Sequence, residues 1–118
     1  MKEEYKKLLL QELSARLPYG VKVEYENKIF DIDYISSYQE IKLDEYTINY
    51  TIDISEVKPY LFPLSSMTEE QQLFYSTHLN YMPYYQRVDW FNKHHLDYRG
   101  IIPLGIAIDA TGLDIYKS

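Results

Sequence analysis

The chain has 118 residues and a formal net charge of −6, and 46% of its residues are hydrophobic. This length and composition are typical of one globular domain, which we place at residues 1–118, and they exclude a disordered chain. Cysteine is absent, which excludes disulfides and cysteine-based metal sites. Because no apolar run approaches the roughly 20 residues that span a bilayer and no signal peptide is recognisable, we expect a cytoplasmic protein without membrane association.

The balance of charge disfavours nucleic-acid binding. The chain has 12 basic residues against 18 acidic ones, without a dense basic stretch. Binding to a polyanion usually draws on clustered lysine and arginine.

The unusual count is that of tyrosine, with 14 residues. Tyrosine is enriched at protein interfaces, but its ring also fills the edge of a small core, so the count alone leaves both interpretations open.

The N-terminal segment is predicted to be a helix over about residues 2–17. Its apolar residues recur at helical spacing, with Leu9 and Leu13 near the centre of the stripe. Pro18 and Gly20 then end the helix.

Four runs that alternate apolar and polar residues follow the helix, which indicates strands. They cover residues 21–25, 30–34, 41–43 and 46–53, and the last run has the clearest alternation. Their connections are too short for crossover helices. We therefore predict the α+β class, with the N-terminal helix followed by an antiparallel meander of four or five strands. A meander of this length can curl into an SH3-like barrel.

The second half is predicted to contain two short helices and one further strand. Pro59 and Pro63 flank residues 60–62, which we interpret as a turn or a short 3₁₀ segment. Thr68 and Gln71 fit a capping box that begins a helix ending near residue 79. Residues 80–85 are predicted to be a loop, and a second helix covers about residues 86–96. A turn near Pro103 then precedes a short strand that joins the sheet.

Two surfaces are candidates for binding. The first is the aromatic group formed by Tyr81, Tyr84 and Tyr85 with Trp90, which either anchors a partner or covers the core. The second is the polar face of the sheet, which either steers partners or is simply solvated. Its charged residues are Lys22, Glu24, Asp31, Asp33, Glu40 and Asp53.

The densest group of ionisable residues consists of His94, His95, Asp97 and Arg99. A histidine can act as an acid or base near neutral pH, Asp97 could orient it, and Arg99 could hold an anion. Adjacent histidines on a helix point about 100° apart, so they do not share one metal ion easily. The structural alternative is that these residues cap the helix end and form ion pairs around a turn.

Other catalytic signatures are absent from the sequence. There is no nucleophile elbow, and four glycines are too few and too scattered for a phosphate-binding loop or a dinucleotide fingerprint. We therefore expect no cofactor and no metal ion. Arg87, Lys93 and Arg99 are the residues that would form a local patch if the protein assisted a nucleic-acid process.

Three long stretches, residues 13–22, 57–70 and 89–102, carry a resemblance that extends over nearly the whole chain. Together they resemble a family of short uncharacterised proteins from the genomes of gut anaerobes, often from prophage or mobile-element regions. Pro103 stands where that family commonly has a charged residue, which marks a local departure. The resemblance implies a bacterial or phage context and carries no activity with it.

These observations favour a non-enzymatic module that binds another protein. Two alternatives stay open at this point. One is a small hydrolase that uses the histidine, aspartate and arginine cluster, and the other is a nucleic-acid-linked accessory protein. The oligomeric state does not follow from the sequence.

Overall fold

The computed structural model describes residues 1–116 and confirms the α+β class. Helix α1 (Glu3–Arg16) comes first, followed by a 3₁₀ turn at Leu17–Tyr19. Helices α2 (Glu69–Thr77) and α3 (Tyr84–Lys93) lie in the second half, with a 3₁₀ turn at Leu79–Tyr81 between them. Positions 117 and 118 of the predicted domain lie outside the described residues.

Seven strands form one sheet. They are β1 (Lys22–Tyr25), β2 (Lys28–Ile35), β3 (Glu40–Leu43), β4 (Thr51–Asp53), β5 (Lys58–Pro63), β6 (Leu96–Asp97) and β7 (Ile108–Asp109). The order is β4-β3-β2-β1-β5-β6, and β7 also pairs with β5. The first four strands form the predicted antiparallel meander. Within residues 1–116, β4 and β6 end the path and do not pair with each other, so this order gives no support to an SH3-like barrel.

Strand β5 makes the sheet mixed, a feature that the predicted antiparallel meander does not itself contain. It pairs antiparallel with β1 and parallel with both β6 and β7. The turn or 3₁₀ segment predicted for residues 60–62 is therefore wrong. Pro59 and Pro63 lie at the second and last positions of the strand, and the Phe62 amide between them donates to His95 O at 2.8 Å. Prolines near strand ends remove few ladder hydrogen bonds, so they do not prevent pairing.

The main core lies between α1 and the sheet. Leu9 and Leu13 of α1 are fully buried against apolar residues of the strands and of the C-terminal segment, among them Val23, Ile41 and Leu61. A second, smaller cluster has Leu79, Phe91 and Leu96 at its centre.

Strand β5 links the two clusters because Leu61 belongs to the first and Phe62 packs against the second. Consecutive side chains of a strand point to opposite sides of the sheet. The helical layer of α2 and α3 is therefore fixed to the sheet through its own core.

Two helix predictions differ from the structure at their boundaries. Helix α2 ends at Thr77, before the predicted end near residue 79. The capping box of α2 is confirmed, since the Gln71 amide donates to Thr68 Oγ1 at 3.1 Å and the Thr68 amide donates to Gln71 Oε1 at 3.0 Å. Helix α3 begins at Tyr84, inside the segment predicted to be a loop, and its N-cap residue Pro83 accepts a helical hydrogen bond from the Arg87 amide at 3.2 Å. No helix within residues 1–116 is long and apolar enough to cross a membrane.

Candidate functional site

The three tyrosines of the helical layer are held by regular structure while their rings face solvent. Tyr81 ends the 3₁₀ turn and is 81% exposed, and Tyr84 and Tyr85 begin α3 with exposures of 66% and 70%. The Tyr84 ring lies 5.6 Å from the Arg87 guanidinium, and the Tyr85 hydroxyl accepts from Gln86 Nε2 at 3.3 Å. Because these contacts are local, the three rings remain available to a partner.

Trp90 does not join these tyrosines. Its ring lies 5.8 Å from Phe74, 5.7 Å from Phe91 and 4.7 Å from His94, measured between ring centroids. Helix geometry explains the separation, since five residues at about 100° each turn Trp90 well away from the face of Tyr85. Trp90 therefore lies on a different face of α3 from Tyr84 and Tyr85, and Tyr81 lies outside this helix.

Leu73 and Trp90 lie in an open groove of about 610 Å³ between α2 and α3. Leu73 is 64% exposed, although it is a large apolar residue in the middle of a helix. Sequence reasoning missed this groove. The signal for it was the spacing of Glu70, Leu73, Phe74 and Thr77, which places all four on one face of α2.

The aspartate of the ionisable cluster has a structural role. Asp97 is buried, and its Oδ1 and Oδ2 accept from the amides of Ile101 and Ile102, each at 2.9 Å. The carboxylate therefore closes the turn after β6. Among the described residues it makes no hydrogen bond to His94 or His95, which agrees with the structural alternative for this cluster and not with the catalytic one.

The two histidines end α3 and point into different surroundings. His94 is the C-cap residue of the helix, and its ring contacts the ring of Trp90. His95 has a positive φ of 58° and stacks on Tyr116 with ring centroids 3.6 Å apart. Burial, followed by the nearby positive charge of Arg16, lowers the pKa of His95 to about 4. His95 is therefore neutral at physiological pH.

Arg99 belongs to a charged network that sequence reasoning did not foresee. Its Nε lies 2.7 Å from Glu12 Oε1, and Glu12 Oε2 accepts from Arg16 Nε at 2.8 Å. Arg16 also donates from Nη2 to Leu96 O at 2.7 Å, and both Glu12 and Arg16 are completely buried. The available signal was the spacing of Leu9, Glu12, Leu13 and Arg16, which puts the two charged residues on the apolar face of α1.

A cavity of about 460 Å³ lies beside the histidines. Its walls include Phe62, Thr68, Gln71, Lys93, His95 and Tyr116. Within residues 1–116, none of its lining residues is an aspartate or glutamate, so it does not assemble an acid–base pair. The described part of the chain also contains no group of three or more side chains that could hold a metal ion.

Two observations weigh against a basic patch made of the three residues considered for nucleic-acid contact. Arg87 and Lys93 are six residues apart on α3, which at about 100° per residue places them on different sides of the helix. Arg99 is already paired with Glu12.

On the polar face of the sheet, Lys22 pairs with Asp31 at 2.9 Å. Asp53 pairs with Lys6 of α1 at 3.3 Å. These charges are partly neutralised within the molecule.

The lowered pKa of His95 predicts a dependence of stability on pH. Since the pKa lies below its ordinary value of 6.5, the unfolded chain takes up this proton more readily than the folded chain. The free energy of unfolding should therefore fall as the pH drops from about 6.5 towards about 4. Urea unfolding at several pH values in this window measures the slope, and the variant His95→Asn should show a shallower one. An unchanged slope in the variant would show that another group is responsible.

No family model, curated protein or solved structure matches the chain.

Proposed function

We propose that the chain is a non-enzymatic protein-binding module that acts in the bacterial cytoplasm, and that its helical layer carries the binding face. The observation that supports this proposal is the exposure of Leu73, Tyr81, Tyr84 and Tyr85 on α2, the 3₁₀ turn and α3. Each of the three tyrosines exposes at least 66% of its surface. Exposed aromatic residues on a fixed surface are the usual anchors of protein interfaces.

Other exposed tyrosines occur near the far end of the sheet, and their setting differs. Tyr38 lies in the turn between β2 and β3, and Tyr46 lies in the irregular segment before β4. Binding through a side chain on an irregular segment loses more conformational entropy than binding through one on a helix. The helical layer is therefore the better preorganised of the two tyrosine-bearing surfaces.

The engagement of Asp97 argues against the hydrolase alternative. Without a carboxylate directed at His94 or His95, the cluster lacks the third group that orients a catalytic histidine. The position of Arg87 and Lys93 on different sides of α3, and the pairing of Arg99 with Glu12, likewise weaken the nucleic-acid alternative.

A capture experiment with matched variants tests the proposal. Tagged wild-type protein and the double variant Tyr84→Ala, Tyr85→Ala are incubated with the same lysate of a gut anaerobe, and the captured proteins are quantified by mass spectrometry. The wild type should retain a partner that the double variant loses, because a few aromatic anchors carry most of the binding energy of an interface.

The control is the double variant Tyr38→Ala, Tyr46→Ala, which removes the same number of exposed rings from the other surface. It should retain the partner at the wild-type level. Equal recovery by all three proteins, or no specific partner for the wild type, would overturn the proposal. Circular dichroism of each variant confirms that the fold is intact.

A further inference from the structure

The groove between α2 and α3 has a floor of stacked aromatic rings. The Phe74 ring lies 5.3 Å from His78 at an interplanar angle of 9°, and 5.8 Å from Trp90 at 24°. The ring of His94 continues the row at 4.7 Å from Trp90. The faces of such rings carry negative electrostatic potential, and tryptophan attracts a cation over its face more strongly than other residues.

The charge of the groove also favours a cation. Glu70 is the one acidic residue that lines it, and within residues 1–116 no lysine or arginine does so. Burial, followed by the charge of Lys93, lowers the pKa of His94, which keeps that ring neutral at pH 7. The groove thus combines an aromatic floor with one negative side chain.

We propose that this groove binds an arginine side chain of the partner protein, with its guanidinium against Trp90 and paired with Glu70. The proposal rests on the protein-binding function and names the chemistry that the partner brings. A guanidinium is planar, stacks on aromatic faces, pairs with carboxylates and is more weakly hydrated than an ammonium group. Leu73, at the edge of the groove, provides an apolar contact for the neighbouring residue of the partner. The net charge of −6 also favours a basic partner.

Trp90 makes the proposal directly measurable, since it is the one tryptophan in the sequence. Its fluorescence therefore reports on the groove. The probe is a capped pentapeptide with a central arginine between two leucines, compared with the same peptide carrying the neutral analogue citrulline. The arginine peptide should change the fluorescence saturably, and the citrulline peptide should bind at least about fivefold more weakly, since the charge-dependent attraction is lost.

Glu69 and Glu70 provide a matched pair of variants. Both are first-turn acids of α2, but only Glu70 lines the groove. Glu70→Gln should weaken binding of the arginine peptide by roughly fivefold to tenfold because the guanidinium loses its carboxylate partner. A tenfold change corresponds to about 1.4 kcal/mol. Glu69→Gln loses the same favourable interaction with the helix dipole and should bind as the wild type does.

Three outcomes would overturn the inference: no saturable change with millimolar arginine peptide, equal binding of both peptides, or equal effects of the two variants. Such a failure is separate from failure of the proposed function. If tyrosine-dependent capture is observed while the arginine peptide does not bind, the groove assignment alone is wrong.

Discussion

Replacing Glu12 with alanine should lower the free energy of unfolding by about 3–5 kcal/mol, the range measured when one member of a buried ion pair is removed. Glu12 lies between Arg16 and Arg99, at 2.8 Å and 2.7 Å respectively. Without the carboxylate, the completely buried guanidinium of Arg16 keeps its charge and loses its counter-ion. Arg99 is partly exposed, so water can replace its share of the interaction.

Urea unfolding followed by far-ultraviolet circular dichroism measures this loss. The matched control is Asp31→Ala, which removes the acid of the half-exposed Lys22–Asp31 pair at 2.9 Å. Because solvent screens that pair, the control should lose about 1 kcal/mol or less. The double variant Glu12→Leu, Arg16→Met should be more stable than Glu12→Ala, since no buried charge is left behind. Equal losses in Glu12→Ala and Asp31→Ala would show that the network does not hold α1 to the turn after β6.

Asp97→Ala should destabilise the fold by about 2–4 kcal/mol, because two backbone amides lose a charged acceptor. The amides of Ile101 and Ile102 each donate to this carboxylate at 2.9 Å, and Ile101 is fully buried. A buried donor without an acceptor costs more than an exposed one, since water cannot replace the missing partner. Asp97→Asn keeps one acceptor oxygen and should lose about half as much.

Asp109 offers the comparison, since it accepts from the Thr111 amide at 2.8 Å in an exposed turn. Asp109→Ala should cost less than about 1 kcal/mol because solvent replaces the lost acceptor. Hydrogen exchange provides an independent readout: the amides of Ile101 and Ile102 should exchange faster in Asp97→Ala. Unchanged exchange at both amides would contradict the structural role assigned to Asp97.

Periodicity predicts α1 and the meander because one face of each element is buried, and it fails where local geometry alters the pattern. Simple alternation places Tyr34 with Phe30 and Ile32 on the inner face. A register shift between Ile32 and Tyr34 turns Tyr34 outward and brings Ile35 inward. One extra residue in a strand changes the face of all those that follow, and alternation alone does not reveal it.

The run with the clearest alternation forms the shortest strand of the meander. The predicted strand over residues 46–53 is wrong for its first half, because the pairing begins only at Thr51. The Ile48 amide donates instead to Glu45 O at 3.1 Å, which folds the preceding residues into a turn. Tyr46 is consequently almost fully exposed. Alternation of polar and apolar residues shows that a segment can form a strand. Whether it does depends on a neighbouring strand with which its backbone can pair.

The candidate site is harder to predict than the fold because its organisation depends on contacts distant in sequence. Arg99 belongs to a local cluster in the sequence, but its partner Glu12 lies in α1. The stacking of Phe74 on Trp90 depends on how α2 packs against α3. Helical spacing is informative within one helix, where 100° per residue is enough to separate Trp90 from Tyr84 and Tyr85. It carries no information about which helices meet.

If the helical layer binds a protein, the affinity of the captured partner should depend on the tyrosines of that layer. Titration calorimetry with the purified partner gives the dissociation constants of the wild type and the two tyrosine double variants. We expect the Tyr84→Ala, Tyr85→Ala protein to bind at least about tenfold more weakly, equivalent to about 1.4 kcal/mol, and the Tyr38→Ala, Tyr46→Ala protein to bind within about twofold of the wild type. The reverse order, or equal affinities, would contradict this expectation.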